Sequence, residues 1–358
     1  MTAVPGFSTM SLDSTGALSG WIYISFFSWW QMPLLFSISG MSTHIALERK
    51  SVLAYSRERI FRLLIPLLFF MLCLWQPLAY FWPTGFTGRS VAHYFSVFWP
   101  DSLKHLLYNE YDGSPQWAHM WFVAYLTIFS FILLPVFRFT SKRKISWFSI
   151  PDKFLKCKPV LFLFPAIAFI LCFYSLEPFF PGHQNNLYND WSYFTYNMLA
   201  FISGYYLCKS GKALILIDQY RFILLAMALI FSVVLIYLNF FSNHRMEPRH
   251  SYSFLVYAGI YGLNTWLWIL ALLGLFRRYL NIRNKALRYF NRASYPFYIF
   301  HLVLMVVIGH FITQLEFSPL IEFIYICVLS LIATILCYEV VKRWSISRIL
   351  LGIKSYKS

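Results

Sequence analysis

The chain has 358 residues, 59% hydrophobic and 21% aromatic, but only 12% charged, with a mean hydropathy of +0.58. So little charge cannot cover the surface of a soluble protein of this length, which excludes a set of ordinary soluble domains and indicates a bundle of membrane-spanning helices. The net charge of +16 would suit nucleic acid, but basic residues of a membrane protein gather in cytoplasmic loops and set orientation, so no nucleic-acid partner is expected.

A helix crossing a hydrocarbon core of about 30 Å needs about 20 mostly apolar residues. Nine stretches qualify, near residues 21–43, 60–82, 118–138, 159–179, 192–209, 222–241, 252–275, 293–314 and 320–341. The expected fold is all-α: a polytopic transmembrane bundle of about nine helices, with residues 1–358 as a single integral-membrane domain. No internal repeat or low-complexity tract is visible. The longest connection, 83–117, carries turn chemistry at Trp82-Pro83-Thr84-Gly85, Trp99-Pro100-Asp101 and Asp112-Gly113-Ser114-Pro115. Its Trp99, Tyr108, Tyr111 and Trp117 suit stacking on a sugar and an interfacial belt equally. Cys73, Cys157, Cys172, Cys208, Cys327 and Cys337 fall mostly in apolar stretches, none at metal-ligand spacing, and imply neither a disulfide framework nor a metal site.

Orientation follows from the cations. With 44–62 inside and strict alternation, the inner segments 44–62, 138–158, 209–221, 276–292 and 341–358 hold 26 of the 30 Lys and Arg residues. Only Arg89, Lys104, Arg245 and Arg249 fall outside. The positive-inside rule therefore sets the C-terminus on the cytoplasmic side of the membrane. Residues 1–20 then lie outside, carry no cation and lack the features of a secretory signal, so a further spanning helix is expected upstream.

Polar residues inside spans are costly, and each is a candidate site. In Arg57-Glu58-Arg59-Ile60-Phe61-Arg62-Leu63-Leu64-Ile65-Pro66, Arg59 and Arg62 share a helix face at the cytoplasmic end of the second span. Pro66 cannot donate to the carbonyl of Arg62. Two guanidiniums there fit a phosphate or pyrophosphate clamp; they fit a topology anchor, with Glu58 and Arg62 paired at i, i+4, as well. His119, in His119-Met120-Trp121-Phe122-Val123, falls at the outer start of the third span, where a His beside a Trp is also ordinary belt composition. His301 ends Ser294-Tyr295-Pro296-Phe297-Tyr298-Ile299-Phe300-His301, roughly 12 Å into the eighth span, flanked by Phe297 and Tyr298. It suits a satisfied structural histidine or proton transfer near neutral pH. Glu322 is expected to be solvated near the outer end of the last span and Glu339 to pair with Lys342 and Arg343 near the inner end. Glu177 and His183 fall near the outer boundary.

Four segments, in order, resemble the membrane-bound acyltransferase family 3, and within it the glucan biosynthesis protein C-like branch. Trp29-Trp30-Gln31-Met32-Pro33-Leu34-Leu35-Phe36-Ser37-Ile38-Ser39-Gly40 resembles the family's "MPLFFFISG" helix, and Arg59 to Pro66 its "RxxRLxxP" segment. His119-Met120-Trp121-Phe122 is similar to "HLWF", and Ser294 to His301 to "SYxxYLxH". The resemblance implies a ten-helix bundle that moves an acyl group, acetyl or succinyl, from cytoplasmic acyl-CoA to a hydroxyl of an extracytoplasmic glycan, with membrane lipid around it. It implies that Arg59 and Arg62 face the CoA phosphates, and that His119 and His301 line the path where acyl group and acceptor meet. The family's first helix, with the His regarded as its catalytic base, has no counterpart in these residues; neither Asp13 nor any residue before Trp21 replaces it. The rival readings are a transporter or flippase for a lipid-linked sugar, whose inverted repeats are not seen in the sequence, and an inactive membrane subunit.

Overall fold

A computed structural model describes residues 14–82, 91–93, 96–97, 99–104, 117–142, 158–241, 251–280 and 284–353. Their regular structure is helical throughout. The helices are α1 (Ser14–Ser28), α2 (Gln31–Arg49), α3 (Val52–Phe81), α4 (Trp121–Ile132), α5 (Leu134–Lys142), α6 (Lys158–Leu176), α7 (Trp191–Lys209), α8 (Gly211–Phe241), α9 (Tyr252–Tyr279), α10 (Lys285–Leu315), α11 (Pro319–Val341) and α12 (Ser345–Leu350). Five of them, α3 and α8 to α11, are long and apolar enough to cross a membrane. A sixth span results if Ala118–Ile132 and Leu134–Thr140, bent by 47°, count as one.

The remaining three expected spans also fall on helices, with local differences. The stretch 21–43 is divided between α1 and α2 at Trp29 and Trp30. The reason is Pro33, which has no N–H for the carbonyl of Trp29 four residues back. The Thr265 hydroxyl donates to that carbonyl at 2.7 Å instead. The stretches 159–179 and 192–209 correspond to α6 and α7. Of the aromatic residues expected in the loop 83–117, Tyr108 and Tyr111 lie outside the described residues, as do Arg89, Arg245, Arg249 and Cys157. The five described cysteines are free thiols.

The chain divides into two compact units. One comprises Asp13–Tyr55 and Ile128–Ile282. Its closest helix crossing is α2 on α7. A Cβ added to Gly40 would stand 1.9 Å from the Phe201 carbonyl oxygen, and one added to Gly204 would stand 1.9 Å from the Ser37 carbonyl oxygen. Backbone therefore touches backbone, which only glycine permits. The Ser37 hydroxyl donates to the Ala200 carbonyl at 2.9 Å across the same contact. Aromatic rings fill the space beside it, with Phe137 stacked on Tyr205 at 3.8 Å and Phe36 against Phe129 at 5.3 Å. A chain of hydrogen bonds ties α9 to α8: Trp268 Nε1 donates to Ser232 Oγ at 2.9 Å, and Ser232 Oγ to Asn264 Oδ1 at 2.8 Å. Glu177 is not merely solvated: it accepts from the Gly182 N–H at 2.8 Å and from the Ser192 hydroxyl at 2.7 Å. It thereby closes the loop between α6 and α7, in which His183 packs on the Tyr193 ring at 3.8 Å.

The described residues of the other unit fall within Ser56–Thr127 and Arg283–Ser358. Here α3 and α10 lie side by side and run in the same direction. At one end Arg62 and Pro66 of α3 adjoin Tyr295 of α10. At the other, Phe81 packs on His310 and Phe311 at ring separations of 5.3 and 5.8 Å. On α11, Glu339 accepts from Tyr289 of α10 at 2.9 Å and from Lys342 at 2.6 Å, while Glu322 sits in the first turn.

Within α3, two turns widen to π geometry, Ile60–Leu64 and Phe70–Leu74, marked by bonds from Ile65 N–H to the Ile60 carbonyl and from Trp75 N–H to the Phe70 carbonyl. Each widened turn lies just before a proline, Pro66 or Pro77. A proline ring crowds the carbonyl four residues back and leaves it without a donor, and bonding one residue further back relieves both.

Candidate functional site

His119 sits in a short 3₁₀ turn, Ala118–Met120, that leads into α4. Ala118 before it has φ of 42°, a left-handed conformation rare for a residue with a side chain. Such strain, held by surrounding structure, concentrates at functional sites. His119 packs edge-on against Phe70 of α3 at 5.0 Å and against His301 of α10 at 4.9 Å. Phe70 is 11 residues from the end of α3 at Phe81, and His301 is 14 from the end of α10 at Leu315, about 16 and 21 Å of helix. His119 therefore lies beside the middle of both helices.

Tyr298 organises the two imidazoles. Its backbone carbonyl lies 2.8 Å from His119 Nε2 and 2.8 Å from His301 Nδ1, and the Phe297 carbonyl lies 3.2 Å from His301 Nδ1. The Tyr298 hydroxyl donates in return to the His119 carbonyl. A carbonyl only accepts, so the ring nitrogens facing it must carry hydrogen. His119 therefore carries a hydrogen on Nε2 and His301 one on Nδ1; in the neutral form of each ring the other nitrogen is the acceptor. The His119 Nδ1 is buried and has no partner among the described residues. The two rings stand nearly perpendicular, at 80°.

The arginines lie nearer the other end of the same helix pair, Arg59 seven and Arg62 ten residues from the start of α3 at Val52. Arg59 closes the first α-helical turns of α3, and Arg62 falls within the first widened turn. The widening alters the i, i+3 alignment that a regular helix would give the pair. Arg62 Nη1 lies 3.4 Å from Glu58 Oε1, the i, i+4 pair foreseen, and its Nε is buried with no partner among the described residues. From Arg62 to Phe70 is eight residues and from Tyr295 to His301 six, or about 9–12 Å along the helix axes. The basic end and the imidazole pair are thus two stations on one helix pair.

The structure brings His119 and His301 together, and it sets Arg59 and Arg62 toward the end of α3 nearest Tyr295. Sequence reasoning missed the part of Tyr298's main chain, the orphaned hydroxyl of Tyr295 and the C-terminal Gly352. Only the run of Tyr and Pro before His301 hinted at the first two. Among the described residues, no three His, Cys, Asp or Glu side chains gather as a metal site would require.

These parts define a multi-pass helical membrane protein with two histidines in ring contact among its helices. The chain belongs to acyltransferase family 3, whose acyltransferase domain matches residues 4–339. No curated protein and no solved structure matches it. It is therefore a membrane protein of an acyltransferase family.

Proposed function

We propose that the protein is an O-acyltransferase of the bacterial inner membrane, C-terminus in the cytoplasm. It moves an acetyl or succinyl group from cytoplasmic acyl-CoA to a hydroxyl of an extracytoplasmic glycan, a glucan in the branch it most resembles. The whole chain, both units, acts as one acyltransferase domain. The observation that carries this reading is the placement of His301, whose Nδ1 lies 2.8 Å from the Tyr298 carbonyl, so that the neutral ring would offer Nε2 as the acceptor.

In this reading the acceptor hydroxyl donates its proton to His301 Nε2 as its oxygen attacks the thioester carbonyl. The tetrahedral intermediate collapses with cleavage of the carbon–sulfur bond. The imidazolium returns the proton to the departing CoA thiolate, so protons balance over the cycle. His119 Nδ1, on a ring 4.9 Å away, offers a second acceptor, which suits a neighbouring hydroxyl of a polyol such as a sugar. Arg59 and Arg62 face the phosphates of CoA at the cytoplasmic end, and the pantetheine arm spans the separation to the imidazoles.

The test uses the full chain in nanodiscs, both faces open, with labelled acetyl- or succinyl-CoA and an oligoglucan. Covalent label on the glucan, lost in His301→Ala, is the expected result. Sugar transport without any acylated product, measured in vesicles, would sink the proposal in favour of a transporter. Unchanged CoA affinity in both Arg59→Ala and Arg62→Ala would remove the donor site from this end.

A further inference from the structure

Beside Arg62 the chain returns at its C-terminal end. Helix α12 stops in a Schellman motif: Ile353 N–H donates to the Arg348 carbonyl at 2.8 Å and Gly352 N–H to the Ile349 carbonyl at 3.2 Å. Gly352 takes φ of +62°, as that motif requires, and Leu351 before it is buried. Glycine is needed at 352 for a second reason. A Cβ there would stand 3.0 Å from the Arg62 carbonyl oxygen, 3.0 Å from Tyr295 Cε1 and 3.2 Å from Pro66 Cγ. The turn therefore lies directly on the place where α3 and α10 meet.

Two polar atoms at this place have no partner among the described residues: Arg62 Nε and the Tyr295 hydroxyl, both buried. The guanidinium acts electrostatically on that hydroxyl, yet the two form no hydrogen bond. Arg62 Nε can only donate, and the phenol donates as well. An orphaned buried polar atom is costly, and two neighbouring donors are relieved together by one group with several acceptor oxygens. Glu58 does not serve, since it meets Arg62 through Nη1, at 3.4 Å.

We infer that Arg62 and Tyr295, roofed by the turn at Gly352, form one oxyanion pocket that takes a phosphate group of the acyl donor. The inference rests on the donor reading above and adds to it Tyr295 and the C-terminal turn. The same chemistry would accept the phosphate of a lipid headgroup, and the experiment separates the two sources.

Coenzyme A is titrated into the full chain in a maltoside detergent free of phospholipid, as wild type, Tyr295→Phe, Arg62→Gln and the double variant. Tyr295→Phe removes one oxygen that the unliganded protein leaves unbonded, so its unfolding temperature without CoA should not fall. CoA binding should weaken about tenfold or more in each single variant. The double variant should lose less than the product of the two, because both groups grip one phosphate. CoA affinity in Tyr295→Phe within twofold of wild type would overturn the pocket. If Arg62→Gln still weakened binding, the donor reading would stand without Tyr295; if neither variant did, that reading would lose its arginine as well. Losses that multiply would also overturn the shared pocket by assigning separate contacts. A repeat with phosphatidylglycerol added should leave wild-type CoA affinity unchanged; competition seen in wild type and absent in Tyr295→Phe would give the pocket to a lipid headgroup and overturn the donor assignment.

Discussion

Pro33 and Pro66 present their helices with the same problem and receive different answers. Each removes the donor for a carbonyl four residues back, that of Trp29 or that of Arg62. At Pro33 the helix breaks, and the Thr265 hydroxyl satisfies the freed carbonyl at 2.7 Å. At Pro66 the helix continues by widening, and the polar groups around it, Arg62 Nε and the Tyr295 hydroxyl, have no partner among the described residues. The first solution completes a packed region; the second leaves unmatched donors beside a cationic group. A proline in a membrane helix is thus compatible with a sealed joint or with a binding end, and the neighbouring side chains decide which.

The largest effect should fall on the sealed region. Gly40→Ala would place its Cβ 1.9 Å from the Phe201 carbonyl oxygen, and α2 and α7 would have to part. A cost of more than about 4 kcal/mol is expected, seen as loss of folded protein in detergent; a wild-type unfolding temperature would show that backbone contact is not what joins these helices. His301→Ala should behave in the opposite sense. Its acyl-transfer rate should fall about 10²–10⁴-fold while the unfolding temperature holds. Thr265→Val tests the plug itself: the Trp29 carbonyl loses its donor, for about 1–3 kcal/mol of stability, with the rate per folded molecule unchanged. The smallest effect is expected of Tyr298→Phe. It deletes one hydrogen bond, to the His119 carbonyl, worth about 1 kcal/mol, but keeps the main-chain carbonyl that sets both tautomers, so its rate should fall far less than that of His301→Ala.

Much of this was legible in the sequence because apolar length and cation placement are one-dimensional signals. All nine expected spans coincide with helices, and the pairing of Glu58 with Arg62 and of Glu339 with Lys342 was readable from spacing. The division of 21–43 was not, because the hydropathy of Trp29 and Trp30 hides the effect of Pro33. The place of His119 beside Phe70 and His301 was hidden for a related reason. Position along a chain names no neighbours across it, and the span beginning near Ala118 starts beside the middle of α3 and α10. The site's chemistry was half visible. The histidines could be found by type, whereas their protonation pattern depends on a main-chain carbonyl that no residue identity announces. Gly352 was invisible, since a glycine near a terminus gives no sign that Arg62, Tyr295 and Pro66 lie within contact of it.

The shared Tyr298 carbonyl has a consequence for a membrane under voltage. At 100 mV each elementary charge that crosses the bilayer carries about 2.3 kcal/mol, so a chain of exchangeable protons midway along spanning helices would be a leak. The carbonyl ends such a chain. It takes a hydrogen bond from each ring, at 2.8 Å, and has no proton to pass on. In the neutral rings each of the other two nitrogens can receive a proton, and neither can hand one to the other through Tyr298. The two imidazoles are held together as acid–base groups and kept apart as a wire.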